Sequence, residues 1–152
     1  MDKKYMELAL EEARKGMEKG EVPIGAVIVR AGEVIASAHN EKELTGIATR
    51  HAEIVAIERA SIALKDWRLN DCDMYVTVEP CPMCAGAIIN SRVGRVFYGA
   101  PDPKAGCAGT LYNLLSDKRF NHRPEVVGGV LEMECSELIS NFFKRKRSGG
   151  TV

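Results

Sequence analysis

The sequence predicts an α/β fold of three layers, a mixed five-stranded sheet with helices on both faces. Three observations predict it. Short β-branched apolar runs alternate with amphipathic stretches in the order α-β-β-α-β-α-β-α-β-α. The first two strands are separated only by a tight Ala31-Gly32 turn, so they pair as a hairpin, whereas the later strands are separated by helices, the pattern of parallel crossovers. The chain has 152 residues, the size of one domain.

In order, residues 3–19 place Met6, Leu10, Ala13 and Met17 on one helical face, with Gly20 to end the helix. Ile24 to Val29 reads as a buried strand and Val34 to Ala38 as its returning partner. Residues 40–50 are polar and contain Thr45-Gly46, the composition of a loop. Ala52 to Leu64 is a helix with Ile54, Val55, Ile57, Ala60 and Leu64 as its apolar positions. Met74 to Val78 is the third strand, stopped by Pro80-Cys81-Pro82, and Pro82 suits the first position of a helix running to about Asn90. Val93 to Tyr98 is the fourth strand, residues 99–110 a Gly- and Pro-rich loop, Leu111 to Leu115 a short helix and Val126 to Leu131 the fifth strand. Cys135, Leu138, Ile139 and Phe142 mark the inner face of a last helix. Residues 1–152 are expected to form one domain, with 146–152 as a frayed tail.

Apolar residues make up 45% and charged residues 28%, ordinary for a globular protein, and 21 Lys and Arg balance 21 Asp and Glu. A net charge of zero argues against a uniformly basic nucleic-acid coat and against an acidic tail. The balance is uneven: residues 92–123 carry a net +4 and residues 144–147 another +4. Two basic segments that converge would make a local footprint for a short RNA loop. The first residues lack a signal-peptide pattern and no apolar run is long enough to span a bilayer, so a cytoplasmic location is expected. Of the five cysteines, Cys81 and Cys84 form a Cys-x-x-Cys pair, while Cys72, Cys107 and Cys135 read as small structural residues.

His51-Ala52-Glu53 and Pro80-Cys81-Pro82-Met83-Cys84 each open a predicted helix. One His and two Cys supply three zinc ligands, which leaves a fourth tetrahedral position for water, as in catalytic sites. The helix N-terminus favours thiolate, placing Cys81 and Cys84 in a first turn where the dipole helps. Glu53 is too close to His51 in sequence for both to bind one ion comfortably, and is placed instead to move the water's protons as general acid and base. A His-x-Glu with a Pro-Cys-x-x-Cys is the pattern of zinc nucleobase deaminases.

Over about residues 5–147 the chain resembles the bacterial tRNA adenosine deaminases of the TadA type, within the cytidine deaminase-like superfamily. The resemblance is carried by Glu21-Val22-Pro23-Ile24-Gly25-Ala26, His39-Asn40, Trp67-Arg68-Leu69, Tyr75 to Cys81, Met83 to Ala87, Ser91-Arg92 and Tyr98-Gly99-Ala100. The motifs Asp102-Pro103-Lys104, Gly109-Thr110-Leu111, Asn121-His122-Arg123 and Phe142-Phe143 point within the superfamily to the tRNA enzyme. The resemblance implies a homodimer that converts adenosine to inosine at wobble position 34 of an arginine tRNA anticodon. It implies one zinc ion per subunit on His51, Cys81 and Cys84, a zinc-bound hydroxide attacking C6, Glu53 shuttling protons and ammonia leaving. Asn40 would line the purine pocket, with the Ala52 backbone helping to hold the base. Arg68, Asp102, Lys104, Asn121, His122, Phe142, Phe143 and Arg147 would contact the anticodon stem-loop. Phe142 and Phe143 cannot share one helix face, so one of them belongs to the core.

The family usually reads Pro-Thr-Ala before His-Ala-Glu, and this chain reads Ala48-Thr49-Arg50, as does the catalytic subunit of the eukaryotic wobble deaminase. Arg50 then either reaches a phosphate or is a plain surface arginine. Two other functions share parts of the pattern. A free-base deaminase acting on guanine or cytosine uses the same zinc motif. A non-catalytic RNA-binding subunit with structural zinc would be expected to lack Glu53, which is present.

Overall fold

The computed structural model describes residues 2–149. In chain order they form α1 (Lys3–Glu18), β1 (Gly25–Arg30), β2 (Glu33–His39), α2 (Lys42–Thr45), α3 (Ala52–Leu64), β3 (Cys72–Val78) and α4 (Pro82–Ser91). β4 (Arg95–Ala100), a 3-10 turn (Leu114–Ser116), β5 (Glu125–Val127) and α5 (Glu132–Arg147) complete the chain. The sheet order is β2-β1-β3-β4-β5. β1 is antiparallel to β2 and β3, and β4 is parallel to β3 and β5, the mixed sheet that a hairpin followed by crossovers predicts.

Strand alternation sorts the core into two faces. Ala26, Ile28, Met74, Val76 and Val96 pack with Val55, Ala56 and Ile88 of α3 and α4. Val27, Val29, Tyr75 and Phe97 face the other way, against Met6, Ala9 and Leu10 of α1 and Cys135 of α5. The Tyr75 and Phe97 rings stack at 4.6 Å. α1 lies so close to β1 that a Cβ on Gly25 would overlap the Ala9 carbonyl oxygen, so only glycine fits there.

The register divides the molecule into two ends. Gly25, His39, Val78 and Ala100 lie at one edge of the sheet; Arg30, Cys72, Arg95 and Glu125 lie at the other. α3 follows β2, and α4 follows β3, so both helices start at the first edge, called here the near end. Residues leading into β4 and β5 lie at the far end, roughly 20 Å away along a seven-residue strand.

Four local expectations change. Within 40–50 the chain makes one helical turn, α2, closed by Gly46 in the left-handed region at φ 70°. Its N-terminal N–H groups, on Glu43 and Leu44, donate to the buried Glu21 carboxylate. Leu111 to Leu115 is not a helix; the 3-10 turn starts at Leu114. β5 is three residues rather than six, because Gly128-Gly129 leaves the strand conformation, with Gly129 at φ 80°. Lys146 and Arg147 belong to α5 rather than to a frayed tail, and Gly150–Val152 lie outside the described residues.

Candidate active site

His51 is the N-cap of α3 and Cys81 the N-cap of α4, one position before the first turn; Cys84 is the third residue of α4. The two helices pack together, and their N-termini meet at the near end of the sheet. His51 Nδ1 lies 3.6 Å from Cys81 Sγ and 3.5 Å from Cys84 Sγ. Their ligand atoms all fall within 4.8 Å of one another. Zinc–sulfur and zinc–nitrogen bonds of about 2.3 and 2.0 Å at tetrahedral angles separate N from S by about 3.6 Å. The observed spacing and the N,S,S donor set therefore fit a zinc ion. A hydrogen bond from the Cys84 thiol, with help from His51, pulls the Cys81 thiol down to about 4, while Cys84 is pushed up by that same shared proton. One thiolate is thus already favoured where a cation would bind.

Glu53, the second residue of α3, is 4% exposed. Burial raises its carboxyl to about 7, and negative charge at Cys81 pushes the same way. A carboxyl poised near neutrality can both take and give a proton. Among the described residues His51, Cys81 and Cys84 are the group able to hold a metal, and the buried thiols Cys72, Cys107 and Cys135 stand outside it.

Asn40 is buried, and its side-chain oxygen accepts the Ala52 N–H at 2.9 Å. The Ala52 N–H is therefore engaged by Asn40 rather than left open toward a ligand, and the Asn40 amide NH₂ is the group left to donate. Behind it, His39 Nδ1 donates to the Asn40 carbonyl at 2.8 Å and His39 Nε2 accepts from Lys19 Nζ at 3.2 Å.

At the same near end a cavity of ≈ 350 Å³ opens, with Ile24, Val78, Asp102, Lys104, Ile139 and Phe143 in its walls. The Asp102 carboxylate accepts the N–H groups of Lys104 and Ala105, a turn-forming arrangement that leaves Lys104 exposed. Glu79, 2% exposed, holds this loop from beneath by accepting from the N–H groups of Asp102, Ala108 and Thr110 and from the Thr110 hydroxyl. A Cβ on Gly106 would collide with that carboxylate. Phe142 is 1% exposed and Phe143 41%, so Phe142 is the core member of the pair and drops out of the surface set. Arg147 is exposed at the end of α5, one turn past Phe143.

Three candidates are not brought to this end. Arg68 follows the C-terminus of α3, where it lies over Trp67 and pairs with Asp66. Asn121 and His122 precede β5, and His122 Nε2 donates to the Val93 carbonyl at 2.7 Å. All three lie at the far end. The basic segment 92–123 divides likewise: Lys104 is near, whereas Arg95, paired with Asp73, and Arg119, paired with Asp117, are far. Within one chain the two basic segments therefore do not converge as a whole.

The sequence reading missed the anchoring roles of Glu21 and Glu79. Each is an acidic residue at the margin of an apolar strand run, which is a usable signal for a buried carboxylate. It also missed the protein partners of Arg50, whose guanidinium bonds Glu41 and Glu58.

A family model described as MafB19-like deaminase matches residues 1–147. The chain is 56% identical over 146 residues to a tRNA-specific adenosine deaminase of Bacillus subtilis, covering 96% of this chain and 91% of that protein. A solved structure from studies of A-to-I editing by tRNA:A34 deaminases at the wobble position of transfer RNA superposes with a TM-score of 0.87 at 45% identity, covering 90% of this chain and 99% of that one. A guanine deaminase of Nitrosomonas europaea superposes with a TM-score of 0.81 at 21% identity, covering 93% and 84%, and shares the fold.

Proposed function

The chain belongs to the MafB19-like deaminase family, and from that premise we propose that it converts adenosine to inosine at wobble position 34 of a tRNA anticodon, an arginine tRNA among its substrates. The observation that carries this is the buried Glu53 carboxyl on the first turn of α3, beside three zinc-type donors within 4.8 Å of one another. Similarity at 56% identity to a tRNA-specific adenosine deaminase supports RNA over a free base as substrate.

His51, Cys81 and Cys84 would hold one zinc ion. When bound, zinc lowers the pKa of water toward neutrality and so supplies a nucleophile at neutral pH. Deamination replaces the C6 amino group with oxygen from water and releases ammonia. Glu53 takes one proton from water and delivers it to ring N1, then moves the remaining proton of the hydroxyl added at C6 to the amine, which departs as ammonia as the C6 carbonyl forms. The Asn40 amide NH₂ donates to an acceptor on the purine edge, while its oxygen keeps the start of α3 in place through Ala52. Reaching C6 requires the nucleotide to be splayed out of its stack, which costs least in a single-stranded loop. Lys104 and Phe143 line the near-end cavity, the Lys144–Arg147 run follows Phe143 at the end of α5, and these groups suit the phosphates and unstacked bases of such a loop.

Arg68, Asn121 and His122 enter through a homodimer. A two-fold axis across the α3–α4 face would set the far end of one chain beside the near end of its partner. A groove of ≈ 330 Å³ on that face, with Ile54, Ile57, Trp67 and Ala87 in its walls, gives it apolar surface to bury. No helix among the described residues is long and apolar enough to cross a membrane, and the cytoplasm, where tRNA is found, is the proposed location.

The test is the pair Glu53→Ala and Cys81→Ser. Glu53→Ala is expected to keep its zinc and lose about 100-fold or more of inosine formation. Cys81→Ser is expected to lose zinc. Near-wild-type turnover in the first, or full zinc content in the second, contradicts the assignment.

A further inference from the structure

The loop from Asn40 to His51 links a residue proposed for the purine pocket to a proposed metal ligand, and charged side chains close it at its base. Glu41 N–H donates to the Arg50 carbonyl at 2.9 Å, so the loop begins and ends on one backbone hydrogen bond. The side chains repeat the connection. Arg50 Nη2 donates to Glu41 Oε1 at 3.0 Å, and its Nη1 donates to Glu58 Oε1 on α3 at 2.6 Å. Arg59 of α3 donates to Glu41 Oε2 at 3.1 Å and to the Ser37 carbonyl of β2 at 2.8 Å.

The side chains of Arg50 and Glu41 are only 24% and 14% exposed, so this is not a solvated surface pair. A partly buried pair with fixed partners retains more of its strength than an exposed one, so Arg50–Glu41 is the stronger tie and the contacts to Glu58 and Arg59, 55% and 49% exposed, are the weaker ones. The network ties β2, both stems of the loop and α3 together on either side of the Asn40–Ala52 hydrogen bond.

We propose that Arg50 is a positioning residue, whose clasp on Glu41 and Glu58 holds Asn40 and the start of α3 in the geometry needed to receive the target base. The proposal rests on the deaminase reading above. It assigns Arg50 a role that acts through protein partners and not through a phosphate.

A double-mutant cycle with Arg50→Ala, Glu41→Ala and the double variant tests it, alongside Arg50→Lys. Amide hydrogen exchange is read on free protein across residues 41–52, and kcat and KM are read on an anticodon stem-loop at several salt concentrations. Each single variant is expected to speed exchange in the loop and lower kcat/KM roughly tenfold, with the double variant losing less than the two single losses combined. The salt slope should stay that of the wild type. Arg50→Lys, which cannot bridge both carboxylates, should recover only part of the loss.

Unchanged exchange overturns the clasp. Faster exchange with wild-type kinetics makes it a structural tie and overturns the positioning role. A phosphate contact would show as a salt slope reduced by about one in Arg50→Ala and no effect of Glu41→Ala, which also overturns it. If the wild-type protein deaminates a free base and not the stem-loop, the functional reading fails, and the same cycle is decided on that base.

Discussion

The side-chain oxygen of Asn40 accepts the backbone N–H of Ala52 at 2.9 Å, and this bond joins the end of β2 to the start of the helix that carries Glu53. It satisfies one of the donors that every helix N-terminus leaves unpaired, in a buried setting where an unpaired N–H is costly. The same bond fixes which way the amide points, leaving its NH₂ as the donor.

Two substitutions separate these roles. Asn40→Ala removes the acceptor and is expected to cost about 1–3 kcal/mol of stability, read by urea unfolding, together with activity. Asn40→Asp keeps an acceptor but has no NH₂; it should retain most of the stability lost in the alanine variant while KM rises. A normal KM in Asn40→Asp would remove Asn40 from base recognition.

Glu79 holds the 101–110 loop from below through four hydrogen bonds. Glu79→Gln replaces one carboxylate oxygen with an NH₂ that cannot accept from N–H groups. The expected loss is about 1–3 kcal/mol, with faster amide exchange at Ala108 and Thr110. An unchanged unfolding midpoint would mean that the loop is held by other contacts.

Glu41 gives a pH dependence with a definite sign. Burial alone would raise its carboxyl, but the hydrogen bond from Arg50 and the charges of Arg59 and Arg50 outweigh it and hold the folded pKa below the ordinary value. A folded pKa below the unfolded one adds stability above the unfolded carboxylate range, and that stability is lost as pH falls through the folded pKa. The stability gap between wild type and Glu41→Gln should therefore be present at neutral pH and close as the solution is acidified. A gap that widens with acid contradicts the clasp.

The layer order and sheet pairing were legible because they follow from hydrophobic period and turn placement. The hairpin at Ala31-Gly32 and the crossover from β3 to β4 are both set locally. The zinc-type cluster was legible because His51, Cys81 and Cys84 all sit where a loop or strand feeds a helix start, and the helix packing brings those starts together. α2 was not, since a four-residue turn too short for a hydrophobic period is stabilised by Glu21, some twenty residues earlier. The truncation of β5 depends on Gly128-Gly129 abandoning the strand, which an apolar run ending in Val130-Leu131 conceals. The separation of Arg68, Asn121 and His122 from the cluster is a matter of strand direction; motif strings carry no record of which end of a sheet they occupy.

Deamination of adenosine held in an RNA loop is the reaction proposed for this chain. The most direct measurement is product formation by the wild-type protein from an adenosine-34 arginine anticodon stem-loop and, in parallel, from free guanine, cytosine and adenosine. Inosine in the stem-loop at position 34, with little or no product from the free compounds, is the predicted result. Product from the free compounds alone would contradict it.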